Sequence, residues 1–288
     1  MIPQPGILAE PPPHAEFLFL DRRHGSSAAL EQLAALELQD HLLVALGERL
    51  VASSATLPGL RPMPTFPEGQ VTLPSTPFDL MVRVSGQDPG QLLHRSRALL
   101  AQLPAYQVSE RVSCFVHEGS RDLTGYEDGT ENPTDEDALR AAFQMDAGPG
   151  LDGSSVLAMQ RWVHDFRAFD AMGKPAQDHA IGRERISNEE LDEAPESAHV
   201  KRTAQEDFEP EAFVLRRSMP WRDERGAGLL FLAFGSTLDA FEAQLRRMSG
   251  AEDGVVDALF RFTRPVTGAT FWCPPLREDG GLDLSALS

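Results

Sequence analysis

Hydrophobic and polar residues alternate along several short stretches of the chain. Residues 78–85 and 108–117 alternate in this way, and a period of two predicts strands with one buried face. Residues 15–20, AEFLFL, and residues 156–163 predict two further strands. Residues 229–234, LLFLAF, are wholly apolar, which indicates a strand covered on both faces.

Helical spacing separates these strands. Residues 27–50 carry a leucine-rich face and predict a helix. Residues 89–103 predict another, because proline suits the first turn of a helix. Ser236, followed three residues later by Asp239, predicts the start of a helix that runs to Met248. Residues 166–174, 188–193 and 255–262 also have helical character.

Strands joined by helices in both halves of the chain predict an α+β protein with antiparallel sheets. We expect two similar halves that meet near residue 145, although no direct repeat is visible in the sequence.

Composition and charge narrow the function classes. The chain has 288 residues and a net charge of −18, and no run rich in lysine or arginine. Because a duplex nucleic-acid binder needs a positive face, we expect neither a nucleic-acid nor a membrane partner. No apolar run is long enough to span a bilayer. The N-terminal residues lack the features of a secretory signal. Cys114 and Cys273 lie far apart, which predicts reduced thiols and a cytoplasmic protein.

The segment 125–133, GYEDGTENP, is the first candidate for chemistry. Its glycines allow positive φ or close approach to a ligand, but Asp, Asn and Pro are also ordinary turn residues. A plain acidic turn, a bound cation and an acid/base carboxylate are all compatible with it.

His199 and the pair Arg216–Arg217 are the other candidates. The chain has eight histidines, and none belongs to an HExxH or other zinc motif, so His199 alone is a weak candidate ligand. Tandem arginines commonly form salt bridges, but arginine also suits an anion or developing negative charge.

Taken in order, these segments resemble the dye-decolourising peroxidases, and most closely their bacterial class B or P. The resemblance covers roughly residues 15 to 276. It is carried by six segments: GYEDG at 125–129 followed by TENP, QRW at 160–162 with His164, IGR at 181–183, PESAH at 195–199, RRSMP at 216–220 and RFTRPVTG at 261–268.

The resemblance implies two ferredoxin-like halves of the dimeric α/β-barrel-like superfamily. Residues 1–145 would carry the GxxDG motif, and residues 146–288 would bind haem b. His199 matches the proximal ligand of the haem iron. Asp257 is expected to receive the other ring proton of His199, and Asp253 is the nearby alternative.

On the peroxide side, Asp128 and Arg216 match the distal acid and arginine, and Ser218 matches a distal polar position. Arg183 matches a residue that pairs with a haem propionate. Three further residues are expected to contact the cofactor: Asn132, which closes the motif segment, and Leu232 and Phe234, which we expect nearest the iron on the apolar strand.

The implied activity is reduction of H2O2 and oxidation of small organic donors or dyes through a ferryl–porphyrin radical. The implied assembly is a homo-oligomer, a dimer or larger. Bulky dyes would deliver electrons through oxidisable side chains, for which the candidates are Trp162, Trp221, Trp272, Tyr106 and Tyr126. Tyr126 departs from the family, in which phenylalanine is common at that position.

Two other functions stay open at this stage. One is a haem-handling or iron-releasing protein without physiological peroxidase turnover. The other is a divalent metal held by Glu127, Asp128 and Glu131, since carboxylate oxygens are ligands for hard cations.

Overall fold

The computed structural model describes residues 2–24 and 28–288 of the chain. Residue 1 of the predicted N-terminal half and residue 27, the first of the predicted leucine-rich helix, lie outside the described residues. The strands of the described part are His14–Arg22 (β1), Leu42–Gly47 (β2), Leu80–Gly86 (β3), Tyr106–Phe115 (β4), Ser155–His164 (β5), Leu215–Arg216 (β6), Met219–Asp223 (β7), Gly226–Gly235 (β8) and Thr263–Cys273 (β9).

The α-helices of these residues are Pro5–Leu8 (α1), Ala29–Ala34 (α2), Glu48–Val51 (α3), Pro89–Gln102 (α4), Asp135–Ala142 (α5), Phe166–Met172 (α6), Lys174–Ile181 (α7), His199–Arg202 (α8) and Asp239–Met248 (α9). Helix α4 begins where expected because Asp88 caps it, its carboxylate accepting a hydrogen bond from the Gln91 amide at 3.0 Å. Short 3₁₀ turns cover Gln205–Asp207, Ala258–Arg261 and Ser285–Leu287.

The strands pair antiparallel in two matching sets. The first set has the order β2-β3-β1-β4, and the second has the order β9-β5-β8-β7. Both orders are those of a ferredoxin-like half. β2 pairs with β9 and β4 pairs with β7, so the two sets join into one closed ring of strands. The predicted α+β class with antiparallel sheets is confirmed.

The core lies inside this ring, where large side chains such as Phe17, Trp221 and Phe271 are fully buried. A second apolar cluster lies where α2 and α4 cover the outer face of the first set. No helix of the described residues is both long and apolar enough to cross a membrane.

Two predicted helices are wrong. Within residues 28–50, α2 ends at Ala34, and Leu42–Gly47 is a strand between β3 and β9. A short run of leucines satisfies either period, and the pairing with distant strands decides between them. Residues 188–193 form no helix: Glu190 makes an isolated bridge with Arg183, and a turn covers residues 192–193.

Candidate active site

Two cavities adjoin one another beside β8. The first, here called the histidine cavity, contains His199. The second, here called the serine cavity, contains Ser218 and has a volume of about 770 Å³. The residues that line both are Asp122, Glu127, Asp128, Arg216 and Leu229. The apolar lining of the histidine cavity comes from Ile181, Leu229, Phe231, Phe241, Leu245, Met248, Leu259 and Phe262.

His199 is the first residue of α8, and its ring is held by a carboxylate. Its Nδ1 lies 2.7 Å from Oδ2 of Asp257, whose side chain is fully buried. The other oxygen of Asp257 accepts a hydrogen bond from the Leu259 amide at 2.8 Å. Because an ionised carboxylate only accepts hydrogen bonds, the ring proton is assigned to Nδ1. Nε2 then keeps its lone pair, as a metal ligand requires.

Asp253, the alternative partner, is occupied elsewhere. Both of its carboxylate oxygens lie 2.8 Å from the guanidinium of Arg202, which belongs to the last turn of α8. The contact to His199 is therefore made by Asp257, the expected residue, and not by Asp253.

Asp128 and Arg216 each line both cavities. The Asp128 amide donates to the Ser120 carbonyl at 2.9 Å. Gly129 follows with φ of +86°, and a Cβ there would lie 2.8 Å from Nδ2 of Asn132, so the motif needs glycine at this position. Nε of Arg216 is buried and has no hydrogen-bond partner among residues 2–24 and 28–288.

Asn132 holds the backbone of Arg216. Its side-chain amide donates to the Arg216 carbonyl at 3.0 Å and accepts from the Arg216 amide at 2.8 Å. Gln205 makes the same kind of bridge between neighbouring residues. Its side-chain amide donates to the Glu131 carbonyl at 2.8 Å and accepts from the Val214 amide at 3.0 Å. Two side-chain amides thus tie the motif segment to the chain around β6.

Ser218 and Arg183 lie in different surroundings. Ser218 lines the serine cavity only, and its buried Oγ has no hydrogen-bond partner in the described part of the chain. Arg183 lines neither cavity, and its guanidinium pairs with Glu131 at 2.6 Å and with Glu190 at 3.2 Å.

Leu232 and Phe234 do not line the histidine cavity, contrary to the sequence-based expectation. Both are fully buried in the core of the ring. Successive side chains of a strand point to opposite faces, and on β8 the even-numbered residues face the core. Leu229 and Phe231 are the residues of this strand that line the cavity.

The structure also brings together polar residues that were not assigned a role. In the histidine cavity, Nε2 of His164 lies 3.0 Å from Oδ1 of Asp122, and Nδ1 lies 2.7 Å from Thr263. Burial alone raises the pKa of Asp122, but hydrogen bonds from His164 and Thr124 outweigh it, so the pKa lies below its ordinary value. No local sequence signal marks this pair, because Asp122 and His164 are 42 residues apart.

The divalent-metal hypothesis finds no support in the geometry. Glu127 pairs with Arg121 at 2.8 Å, and Glu131 pairs with Arg183 at 2.6 Å. Across residues 2–24 and 28–288, no three His, Cys, Asp or Glu side chains form a group able to hold a metal ion.

The fold and this cavity define the class of protein. Residues 119–278 match the family model described as Dyp-type peroxidase, C-terminal, and the chain belongs to this family. It is therefore an oxidoreductase of the peroxidase type.

Two curated relatives carry the name of the same family. The dye-decolorizing peroxidase of Brevibacterium linens is 28% identical over 93% of this chain and 79% of that protein. The dye-decolorizing peroxidase of Mycolicibacterium paratuberculosis is 30% identical over 70% of this chain, and the match spans 59% of its length.

Solved structures agree in fold. The dye-decolorizing protein from V. cholerae superposes with a TM-score of 0.84 at 30% identity, covering 93% of this chain and 96% of that one. A variant of Rhodococcus jostii RHA1 DypB in complex with heme has a TM-score of 0.83 at 28% identity, covering 94% of this chain and 96% of that one.

Proposed function

We propose that the chain is a haem b peroxidase that reduces H2O2 and oxidises small organic donors or dyes. One observation carries this proposal. A histidine fixed by a buried carboxylate shares an apolar cavity with Asp128 and with an arginine whose buried Nε has no partner in the described residues. The haem complex of the Rhodococcus jostii relative supports the choice of cofactor.

The donor set of the histidine cavity fits a haem. A neutral imidazole is a common axial ligand of haem iron, and its carboxylate partner increases its electron donation. The cavity is narrow, with about 130 Å³ of free space, and ordinary ligand pockets hold about 300–1,000 Å³. A planar group therefore enters only when the apolar side chains of its walls move apart.

The bound haem would supply a redox-active iron that reacts with peroxide. His199 would hold the iron through Nε2, and Asp257 would hold the Nδ1 proton. Asp128, or a water that it holds, moves a proton between the two peroxide oxygens. Arg216 stabilises the negative charge on the departing oxygen, and Ser218 offers a hydroxyl on the side of the serine cavity.

The two remaining polar residues take indirect roles. Asn132 positions Arg216 through the two backbone hydrogen bonds. Arg183 would bind a haem propionate by exchanging Glu131 for the propionate carboxylate, since its guanidinium is now paired with Glu131.

Haem reconstitution tests the proposal. We expect a Soret band in the wild type and its loss or a changed coordination state in His199→Ala, with exposed His179→Ala as the control. Arg216→Leu should bind haem but react with peroxide about 10²–10³-fold more slowly, the cost of removing one stabilising donor. A wild type that binds haem but does not react with peroxide would instead support a haem-handling protein.

Three broader statements belong to the same proposal. The chain divides into an N-terminal half of residues 1–145 and a C-terminal haem-binding half of residues 146–288, on the basis of the two strand sets. It assembles as a homo-oligomer, as the family resemblance implies. It works in the cytoplasm, where the free thiols of Cys114 and Cys273 stay reduced.

A further inference from the structure

Tyr126 is a buried phenol with a base attached. It lines the histidine cavity and is only 4% exposed. Its hydroxyl donates a hydrogen bond to Oδ1 of Asp178 at 2.6 Å. The other oxygen of Asp178 lies 2.9 Å from the ammonium of Lys174, whose side chain is 44% exposed. A chain of polar groups therefore connects the phenol with the protein surface.

Tyr106, the other tyrosine of the chain, lacks such a base. It is equally buried, but its hydroxyl donates to the backbone carbonyl of Ala29 at 3.1 Å, and it lines neither cavity. A backbone carbonyl accepts a hydrogen bond but does not take up a proton, whereas a carboxylate does both. Tyr106 is therefore a matched control for Tyr126, since both are buried and only Tyr126 has a carboxylate as its acceptor.

The tryptophans are less suited to give up an electron. The guanidinium of Arg161 lies 3.8 Å from the ring centroid of Trp221, and a positive charge at that distance opposes oxidation of the ring. Trp272 lines neither cavity, and its indole nitrogen has no hydrogen-bond partner in the described residues. Trp162 lines the histidine cavity and is the tryptophan whose position would let it compete with Tyr126 as the electron donor.

We propose that Tyr126 is a redox relay residue that donates an electron to the peroxide-oxidised haem while its proton moves to Asp178. The inference rests on the proposed function, because peroxide oxidation of the haem supplies the oxidant. The phenol O–H bond breaks, the proton binds Oδ1 of Asp178, and the electron reduces the haem by one equivalent. The products are a neutral tyrosyl radical and a protonated Asp178. An organic donor then supplies one electron, and Asp178 returns the proton.

Burial makes this proton acceptor necessary. Burial and the neighbouring carboxylate of Asp178 raise the pKa of Tyr126 well above its ordinary value, so the phenol stays protonated at neutral pH. A buried phenol that lost only an electron would leave a positive charge that water does not solvate, which is costly. Transfer of the proton along the 2.6 Å hydrogen bond leaves a neutral radical and a neutral Asp178, so no new charge forms at the buried site.

Freeze-quench electron paramagnetic resonance on the haem-loaded protein, with ring-deuterated tyrosine, tests the proposal. After addition of H2O2 we expect a tyrosyl signal that narrows on deuteration. The signal should persist in Tyr106→Phe and disappear in Tyr126→Phe. In Asp178→Asn its formation should slow about 100-fold or more, the usual contribution of a positioned base. Electron–nuclear double resonance should detect an exchangeable proton hydrogen-bonded to the radical oxygen of the wild type.

Each outcome has a defined meaning. If peroxide does not change the haem spectrum of the wild type, the proposed function fails and the relay with it. If the spectrum responds but the radical is a tryptophanyl, is absent, or survives in Tyr126→Phe, the relay alone is overturned. Should Tyr126→Phe fail to fold, the labelled wild type, Tyr106→Phe and Asp178→Asn decide between the same alternatives.

Discussion

Asn132 offers a test that separates the stability of the site from its chemistry. In Asn132→Ala the Arg216 amide and carbonyl both lose the partners that they have at 2.8 and 3.0 Å. A typical hydrogen bond contributes about 1 kcal/mol net, so the free energy of unfolding should fall by about 2 kcal/mol. For a chain of 288 residues that is a fall of about 3 °C in the midpoint of thermal unfolding.

The effect on the reaction should be larger than the effect on stability suggests. Without Asn132, the end of β6 loses the contact that holds the backbone of Arg216, a residue that lines both cavities. A displacement of about 1 Å in a catalytic group can cost about 100-fold in rate. We expect the reaction with peroxide, followed by stopped-flow absorbance of the haem, to slow at least about tenfold.

Gln205→Ala is the matched control. It also removes a side-chain amide with one donated and one accepted backbone hydrogen bond, here with Glu131 and Val214. Gln205 is more deeply buried than Asn132, so its loss should cost about 2–4 kcal/mol, but Gln205 lines neither cavity. The positioning role is refuted if the two variants, compared well below their unfolding temperatures, lose peroxide reactivity equally.

Three further predictions follow from the same structure. Asp257→Asn replaces the carboxylate that holds His199, and a titration with haem, together with peroxide kinetics, should show a loss of about 10–100-fold in affinity or rate; unchanged values would contradict the contact's role. Burial raises the pKa of the Cys114 and Cys273 thiols far above the ordinary value, so a thiol reagent at neutral pH should label them only after denaturant is added, and rapid labelling of the native protein would contradict their burial. The pKa of Asp122 is lowered from 3.8 in the folded protein, so its contribution to stability is present above that pH and is lost as the pH falls through the folded pKa. Urea unfolding across acidic pH should show that the free energy of unfolding falls less steeply with decreasing pH in Asp122→Asn than in the wild type. Equal slopes of this free energy against pH would exclude the contribution.

The local part of the fold was readable from the sequence. Four predicted ranges overlap observed elements: the alternation of β3, the strand β5, the start of α4 at Pro89 and the apolar run of β8. These patterns depend on neighbours two to four positions away, which the sequence shows directly. The residue types of the site could also be read, because the family motifs contain Asp128, His199 and Arg216 in that order.

Contacts between distant parts of the chain could not be read. Asp257 contacts His199 across 58 residues, and Asn132 contacts Arg216 across 84. Asp253 stayed an alternative to Asp257 as the partner of His199 until the structure paired it with Arg202. Such pairings depend on which helices and strands pack together, and a short stretch of sequence does not contain that information.

The sequence by itself determined the class of fold, the period of most strands and the set of side chains available for chemistry. The tertiary structure alone decided that residues 42–47 form a strand, since their pairing with β3 and β9 outweighs a helical leucine pattern. It also decided which face of β8 lines the histidine cavity. Leu229 and Phe231 line the cavity, whereas Leu232 and Phe234 lie in the core. A shift of one residue in a strand exchanges its two faces, so only the tertiary structure settles this choice.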